Sequence, residues 1–389
     1  MSLKNNFYII DAAQKIKYYR LNRKYDEIVN ECAKIDSIDE FAEFKKYVVE
    51  YIKTVKVNGL LMKRNYGCEG FFYGHRNAFF EYAGISTSKQ AFIFPAFEAG
   101  ADLREVVKDD FLLKRYHSYL LQSSYKNSEI RKRRPYSPIY NIGPYILYAN
   151  SIYNSEKLRS IKSKWGKTVL LFPGHTFEGV GVDFDKKKFV KEVFSQFSNK
   201  FDTILVSVYW NDVDDPLYEE FSSMGAKLVS AGFRGDQQFI HRLKTIFELS
   251  DVVASNLAGS YIGFSKALKK PFYLFGERAR YTNDEYSLSK DSEAKYEHTL
   301  NEIFYSFSSL SPSENQLIYQ NRLYEHFWGG SHFKTKEEAR DIIDLSQKLL
   351  CASKGSIEGF EKAVIRLKDD RDSLDITENQ YDLFLRSLE

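Results

Sequence analysis

At 389 residues the chain is long for one domain, and two of about 150–200 residues each is the natural division. Its 56 basic residues nearly balance 53 acidic ones, which excludes a duplex nucleic-acid binder that works through a global positive field. Cys32, Cys68 and Cys351 are scattered and form no CxxC pair, which excludes a disulfide framework or a zinc knuckle, and no apolar run reaches the ~20 residues of a spanning helix. With no apolar leader at its start, the chain is expected to be cytoplasmic.

Residues 11–57 contain no Gly or Pro and place apolar side chains three and four apart, which predicts helices over about 11–33 and 38–56. Residues 66–80 mix glycines with aromatics around Gly74, His75, Arg76 and Asn77, and read as a loop feeding a helix that ends near Gly84. Residues 91–94 read as a buried strand stopped by Pro95, with Glu98 and Gly100 in the turn beyond it. A helix is expected over 108–122. An exposed loop follows over 123–140, broken by Pro135 and Pro138, then a strand over 144–148 and a polar helix over 149–164.

The second half alternates more clearly. The run TVLLF at 168–172 is apolar on both faces and suits a central parallel strand. Further strands are expected at 203–208, 228–229, 252–253 and 272–275, with helices at 189–197, 216–224, 239–249 and 262–268. From 291 the pattern is helical, most clearly over 335–350. Strand–helix alternation with short turns implies an α/β chain with doubly wound parallel sheets. The expected division is 1–164, 165–332 and 333–389, the last as helices packing back on the other two.

Four loops follow strands of the second half, where ligands gather in such sheets. The first holds Gly174, His175 and Glu178: His175 acts there as a base or phosphate ligand with Glu178 as its partner, or else it caps the turn while Glu178 is solvated. The second holds Tyr209 and Trp210 as cleft walls, followed by Asp212 and Asp214 in a D-x-D pattern that sugar transferases use for a metal. That pattern recurs at Asp183 and Asp185 and at Asp370 and Asp372, and Asp214, Asp215 and Pro216 suit a helix start, so no metal is expected. The third holds Arg234 and Asp236 ahead of Arg242. Asp236 is either a helix cap or a carboxylate facing an anomeric carbon, and the two arginines suit a carboxylate or phosphate. The fourth, Ser255, Asn256, Gly259 and Ser260, sets hydroxyls, an amide and a permissive glycine before a helix N-terminus, a setting that favours a phosphate. It lacks both the Walker spacing and the G-x-G-x-x-G of a dinucleotide site. Apart from these loops, the run Arg131, Lys132, Arg133 and Arg134 is either a solvated loop or a contact with an anionic membrane face.

The stretch GFRGDQQFIHRLKTIFELSDVVASNLAGSYIGFSKALKKPFYLF, with the His-bearing loop before it, resembles bacterial GT-B glycosyltransferases of capsule and O-antigen assembly. Among these it is most similar to the retaining β-Kdo transferases. The resemblance covers mainly residues 166–276. It implies a GT-B-like pair of Rossmann-like domains facing a cleft, residues 1–164 binding the acceptor and 165–332 the nucleotide sugar, with a helical C-terminal segment. It also implies transfer of a sugar, Kdo from CMP-Kdo, to a polysaccharide or lipid-linked glycan acceptor without a bound cofactor. By the same resemblance Asp236 takes the nucleophile's place. The His-Pro pair of bacterial sialyltransferases is not matched by Pro173, Gly174 and His175, which weighs against a sialic acid donor. A UDP- or GDP-hexose transferase and a non-catalytic subunit of glycan assembly are the alternatives.

Overall fold

The run TVLLF has no polar face to offer solvent, and it forms β4 (Thr168–Phe172), buried along its whole length at the centre of a sheet. In the computed structural model, residues 13, 16, 23, 27–28, 30–32, 37–38, 41–52, 69–86, 95–98, 100, 103–104, 107, 118–177, 180–282 and 290–389 are described. The N-terminal unit has a three-stranded parallel sheet, β1 (Ala96–Phe97), β2 (Tyr119–Leu121) and β3 (Ile139–Asn141), in that order. The C-terminal unit adds β5 (Gly181–Asp183), β6 (Thr203–Ser207), β7 (Lys227–Val229), β8 (Val252–Ser255), β9 (Phe272–Leu274) and β10 (Arg280–Thr282). Five of its strands pair in the parallel order β7-β6-β4-β8-β9, while β5 and β10 form a separate antiparallel pair.

The helices between these strands start where local chemistry directs. Asp185 accepts the Lys188 N–H at 2.9 Å ahead of helix Lys186–Phe197, which buries Phe189, Val190, Val193 and Phe197. Asp215 accepts the Leu217 N–H at 3.0 Å with Pro216 in the first turn of helix Pro216–Ser223. Helix Phe239–Leu249 covers the span expected from its apolar spacing.

The first half departs from expectation in several places. Residues 119–121, expected in a helix, form the central strand of their sheet, because Tyr119, Leu120 and Leu121 are all buried between parallel neighbours. The stretch expected as a loop holds helix Asn127–Arg133, anchored by buried Ile130, and then β3. The strand expected over 144–148 is a single 3-10 turn, Tyr145–Leu147. Gly143 at φ +72° swings the chain off β3, and Pro144 caps the turn. The strand expected at 91–94, and most of the N-terminal helices beyond Phe41–Tyr47, lie outside the described residues.

The C-terminal helices pack back across the molecule. Thr335 and Glu338 form a capping box for helix Lys336–Ala352. From this helix Arg340 Nε donates to the Ala83 carbonyl at 3.1 Å, and Phe333 just ahead of it packs 5.0 Å from Tyr148. Arg131 bridges the Ser137 carbonyl at 2.8 Å and the Ser387 carbonyl at 2.6 Å, which ties helix Asn127–Arg133 to helix Glu378–Leu388. Arg134 hydrogen-bonds Tyr119, and Lys132 pairs with Glu129. Arg131 and Arg134 are thus tied to protein contacts, while Lys132 and Arg133 stay exposed. No described helix is long and apolar enough to cross one.

Candidate active site

The strand order reverses between β4 and β8, so the loops leaving those strands flank the crevice where parallel sheets bind ligands. Those loops hold His175 and the Ser255–Ser260 turn, and two side chains of the turn stitch strand ends together. Asn256, fully buried, accepts the Gly174 N–H at 2.8 Å and donates to the Glu277 carbonyl at 3.3 Å, while its own carbonyl accepts the Ala279 N–H at 2.9 Å. Ser255 donates to the Phe172 carbonyl at 2.6 Å and accepts the Leu257 N–H at 3.0 Å. These two residues therefore build the edge of the crevice.

Helix Ser260–Ala267 starts without a side-chain cap, so its first N–H groups and its dipole present positive potential at the crevice. Its position is fixed from behind by helix Glu314–Trp328, since a Cβ on Gly263 would collide with the buried Trp328 ring. In front lies the N-terminal unit: a Cβ on Gly100 would come 2.8 Å from Ser260 Oγ. The turn after β1 therefore faces the turn after β8.

The His175 loop is held by the loop after β6. Asp212 accepts the Thr176 N–H at 2.8 Å and the Thr176 hydroxyl, while Asn211 donates to that hydroxyl at 2.7 Å. His175 Nδ1 lies 2.9 Å from the Thr176 carbonyl, which can only accept, so Nδ1 is the donor there and Nε2 is left to point elsewhere. The ring lies 4.4 Å from that of Tyr209. Tyr209 in turn meets the N-terminal unit, its hydroxyl 3.4 Å from that of Tyr73. Burial pushes the Tyr209 phenol well above its usual range, Tyr73 adds to the rise, and Arg234 counters it.

Arg234 is buried, with its guanidinium carbon 4.3 Å above the Phe72 ring. Its carbonyl accepts the Tyr73 N–H at 2.6 Å. Tyr73 sits in the left-handed region at φ +62°, and a Cβ on the next residue, Gly74, would collide with the Gln237 carbonyl. On the other side, Tyr281 packs edge-on to Phe177 at 4.9 Å, and Arg104 lies 6.0 Å over the Tyr296 ring. Burial raises the Tyr281 phenol, with Tyr261, Tyr296 and Tyr73 adding and Arg104 opposing.

Three expected site residues face elsewhere. Asp236 is fully buried in an ion pair with buried Arg242, and its other oxygen accepts the Gln238 N–H at 2.9 Å. Arg242 also donates to the Ala231 carbonyl at 2.9 Å, and Gly232, at φ +99°, leaves its guanidinium room. The pair organises the loop that carries Arg234. Trp210 is buried edge-on against Phe233 at 5.0 Å, so of the two aromatic walls Tyr209 lines the crevice. Glu178 lies outside the described residues. Tyr73, Tyr281 and Arg104 belong to the crevice but carry no spacing signal in the sequence beyond the aromatic loop noted at 66–80. A surface groove of about 410 Å³ beside Phe41, Lys45, Tyr218 and Glu219 draws on none of the strand-end loops.

No protein-family model and no curated protein matches the chain. Among solved structures, it is similar to the wall teichoic acid polymerase TagF at 15% identity and a TM-score of 0.32, over 60% of this chain and 58% of that one. It is also similar to the UDP-GlcNAc 2-epimerase from Neisseria meningitidis bound to UDP-GlcNAc, at 11% identity and a TM-score of 0.30, over 61% of this chain and 62% of that one. The chain therefore spans about three-fifths of the length of each.

Proposed function

We propose that the protein is a glycosyltransferase that binds a nucleotide-activated sugar between its two sheets and transfers the sugar to a glycan acceptor. The observation that carries this reading is the facing of Gly100 and Ser260. It sets the turn after β1 against an uncapped helix N-terminus at the strand-order reversal, with Arg234, His175 and several tyrosines around the opening. In this reading the helix N-terminus and Ser260 hold the nucleotide phosphate, and Arg234 holds a second anionic group. The tyrosines stack against base and sugar. His175 Nε2 takes the acceptor hydroxyl's proton as that oxygen attacks the anomeric carbon, and the bonding pair leaves with the nucleotide phosphate.

With Asp236 paired to Arg242, we read the transfer as a direct displacement, which inverts the anomeric carbon and departs in that respect from the retaining enzymes that residues 166–276 resemble. The resemblance of residues 166–276 to Kdo transferases supports CMP-Kdo as donor, with a single phosphate at the helix terminus and no metal requirement. The test is a thermal-shift series with CMP, CDP, UDP and GDP. A nucleotide at a hundred times its Kd stabilises by about 2.7 kcal/mol. Stabilisation by CMP alone supports the Kdo-type donor, and stabilisation by UDP or GDP instead assigns a hexose donor. No response to any nucleotide points to a non-catalytic subunit.

A further inference from the structure

A second polar cluster lies at the carboxyl edge of the N-terminal sheet, and it contains buried atoms with no partner. His75 is 3% exposed and Gln122 is 0% exposed. His75 Nδ1 and both amide atoms of Gln122 make no hydrogen bond. Both residues attach to Glu98. The His75 ring hydrogen-bonds the Glu98 backbone, and because Nδ1 is unpaired the bonding atom is Nε2. The Gln122 backbone N–H donates to the Glu98 carboxylate at 3.3 Å. Lys126 meets the other oxygen of that carboxylate at 2.9 Å, so the cluster is electrically neutral. Tyr145 stacks on the His75 ring at 4.4 Å and fixes its orientation.

Apolar groups at these positions would cost nothing in hydrogen bonding, whereas buried polar atoms without partners are costly. His75 offers a lone pair, and Gln122 offers one donor pair and one acceptor. That set matches hydroxyl groups, each of which both donates and accepts. An anion would meet the Nδ1 lone pair and the amide oxygen, and it would gain no net charge from the Glu98–Lys126 pair. The cluster also adjoins the crevice: the Tyr73 ring lies 5.6 Å from His75 on one side and reaches Tyr209 on the other.

We propose that His75 and Gln122 form a hydroxyl-binding subsite that holds a neutral sugar unit of the acceptor. His75 serves there as a positioning residue. Calling the ligand an acceptor rests on the transferase reading; the subsite itself does not. Burial lowers the His75 pKa to about 3, so the ring stays neutral and accepts a hydrogen bond without taking the proton. Two ring contacts and the Tyr73–Tyr209 hydroxyl contact separate His75 from His175, so the acceptor is longer than one sugar. Entry requires the segment Glu69–Gly74 to lift from the Arg234 carbonyl, a contact made by the strained residue Tyr73.

The test is side-chain NMR on the full chain labelled with ¹⁵N-histidine and titrated with maltose, lactose, cellobiose and chitobiose in the absence of nucleotide. The His75 signal is assigned by its loss in His75→Phe. At least one disaccharide is expected to move the His75 Nδ1 resonance, and Gln122→Leu is expected to weaken that disaccharide about tenfold or more while melting no lower than wild type. The proposal is overturned if no disaccharide moves the resonance. It is equally overturned if binding persists unchanged in Gln122→Leu, or if that variant melts lower, which would mark the amide as satisfied by buried water. The nucleotide series reads the opposite face of the crevice, so a silent His75 beside a clear nucleotide response removes the subsite and leaves the transferase reading standing.

Discussion

Asp236→Ala separates a structural carboxylate from a catalytic one. In the folded chain Asp236 is the charged partner of Arg242, and both are buried. Removing the carboxylate leaves a buried guanidinium without the charge it pairs with. Breaking a buried pair from one side costs about 3–5 kcal/mol, a large share of the roughly 5–15 kcal/mol that holds a domain folded. Urea unfolding of Asp236→Ala should therefore show a loss of that size. The double variant Asp236→Leu/Arg242→Met, which removes both charges and keeps apolar bulk, should recover most of it and should still bind nucleotide. An Asp236→Ala protein that unfolds at the wild-type urea concentration yet transfers no sugar would refute the argument and return this carboxylate to the reaction centre.

Other perturbations address the remaining parts. Arg234→Ala should weaken nucleotide-sugar binding by about 1.5–3 kcal/mol, the range for hydrogen bonds to charged groups, as read by titration calorimetry. Gly100→Leu fills the space before Ser260 and should lower nucleotide affinity about tenfold, equivalent to about 1.4 kcal/mol, with melting unchanged. Asn256→Ala removes the bridge between the loops after β4 and β9 and should lower stability by about 1–3 kcal/mol in urea, because buried groups such as the Gly174 N–H lose their partner. The buried His75 also gives a pH signature: its folded-state pKa is lowered to about 3 from 6.5. Between those values the unfolded chain takes up a proton that the folded chain refuses, so this contribution is complete above pH 6.5 and is lost as the pH falls. At pH 4.5 the loss is about 2.7 kcal/mol, and His75→Phe should remove that part of the acid sensitivity in urea titrations at pH 7 and 4.5.

Much of the C-terminal unit was legible because its signals are local. TVLLF has one reading as a strand, Asp215 and Pro216 start a helix by their own chemistry, and the spacing of Phe239–Leu249 repeats on one face. The N-terminal sheet was obscured by its short strands. Three buried residues such as Tyr119–Leu121 carry no periodicity, and five apolar residues ending at Tyr148 fit a strand as well as a buried turn. At the candidate site, the loops named from sequence leave the strand ends as expected, but sequence could not tell which of their polar side chains are tied up in structural contacts. Ser255, Asn256, Asp236 and Arg242 have the chemistry of ligand contacts, and the structure uses them to join strand ends and shape a loop. Tyr73 comes to Tyr209, and Arg104 into the field of Tyr281, from the first half of the chain, a proximity set by tertiary packing alone.

The most direct measurement of the central claim is calorimetric titration of CMP, UDP and GDP into the full chain and into Arg234→Ala. The account requires that at least one nucleotide bind wild type saturably with one site per chain, and that Arg234→Ala bind it at least tenfold more weakly. Absence of binding by all three, or equal affinity in the two proteins, would contradict a nucleotide-sugar site at this crevice.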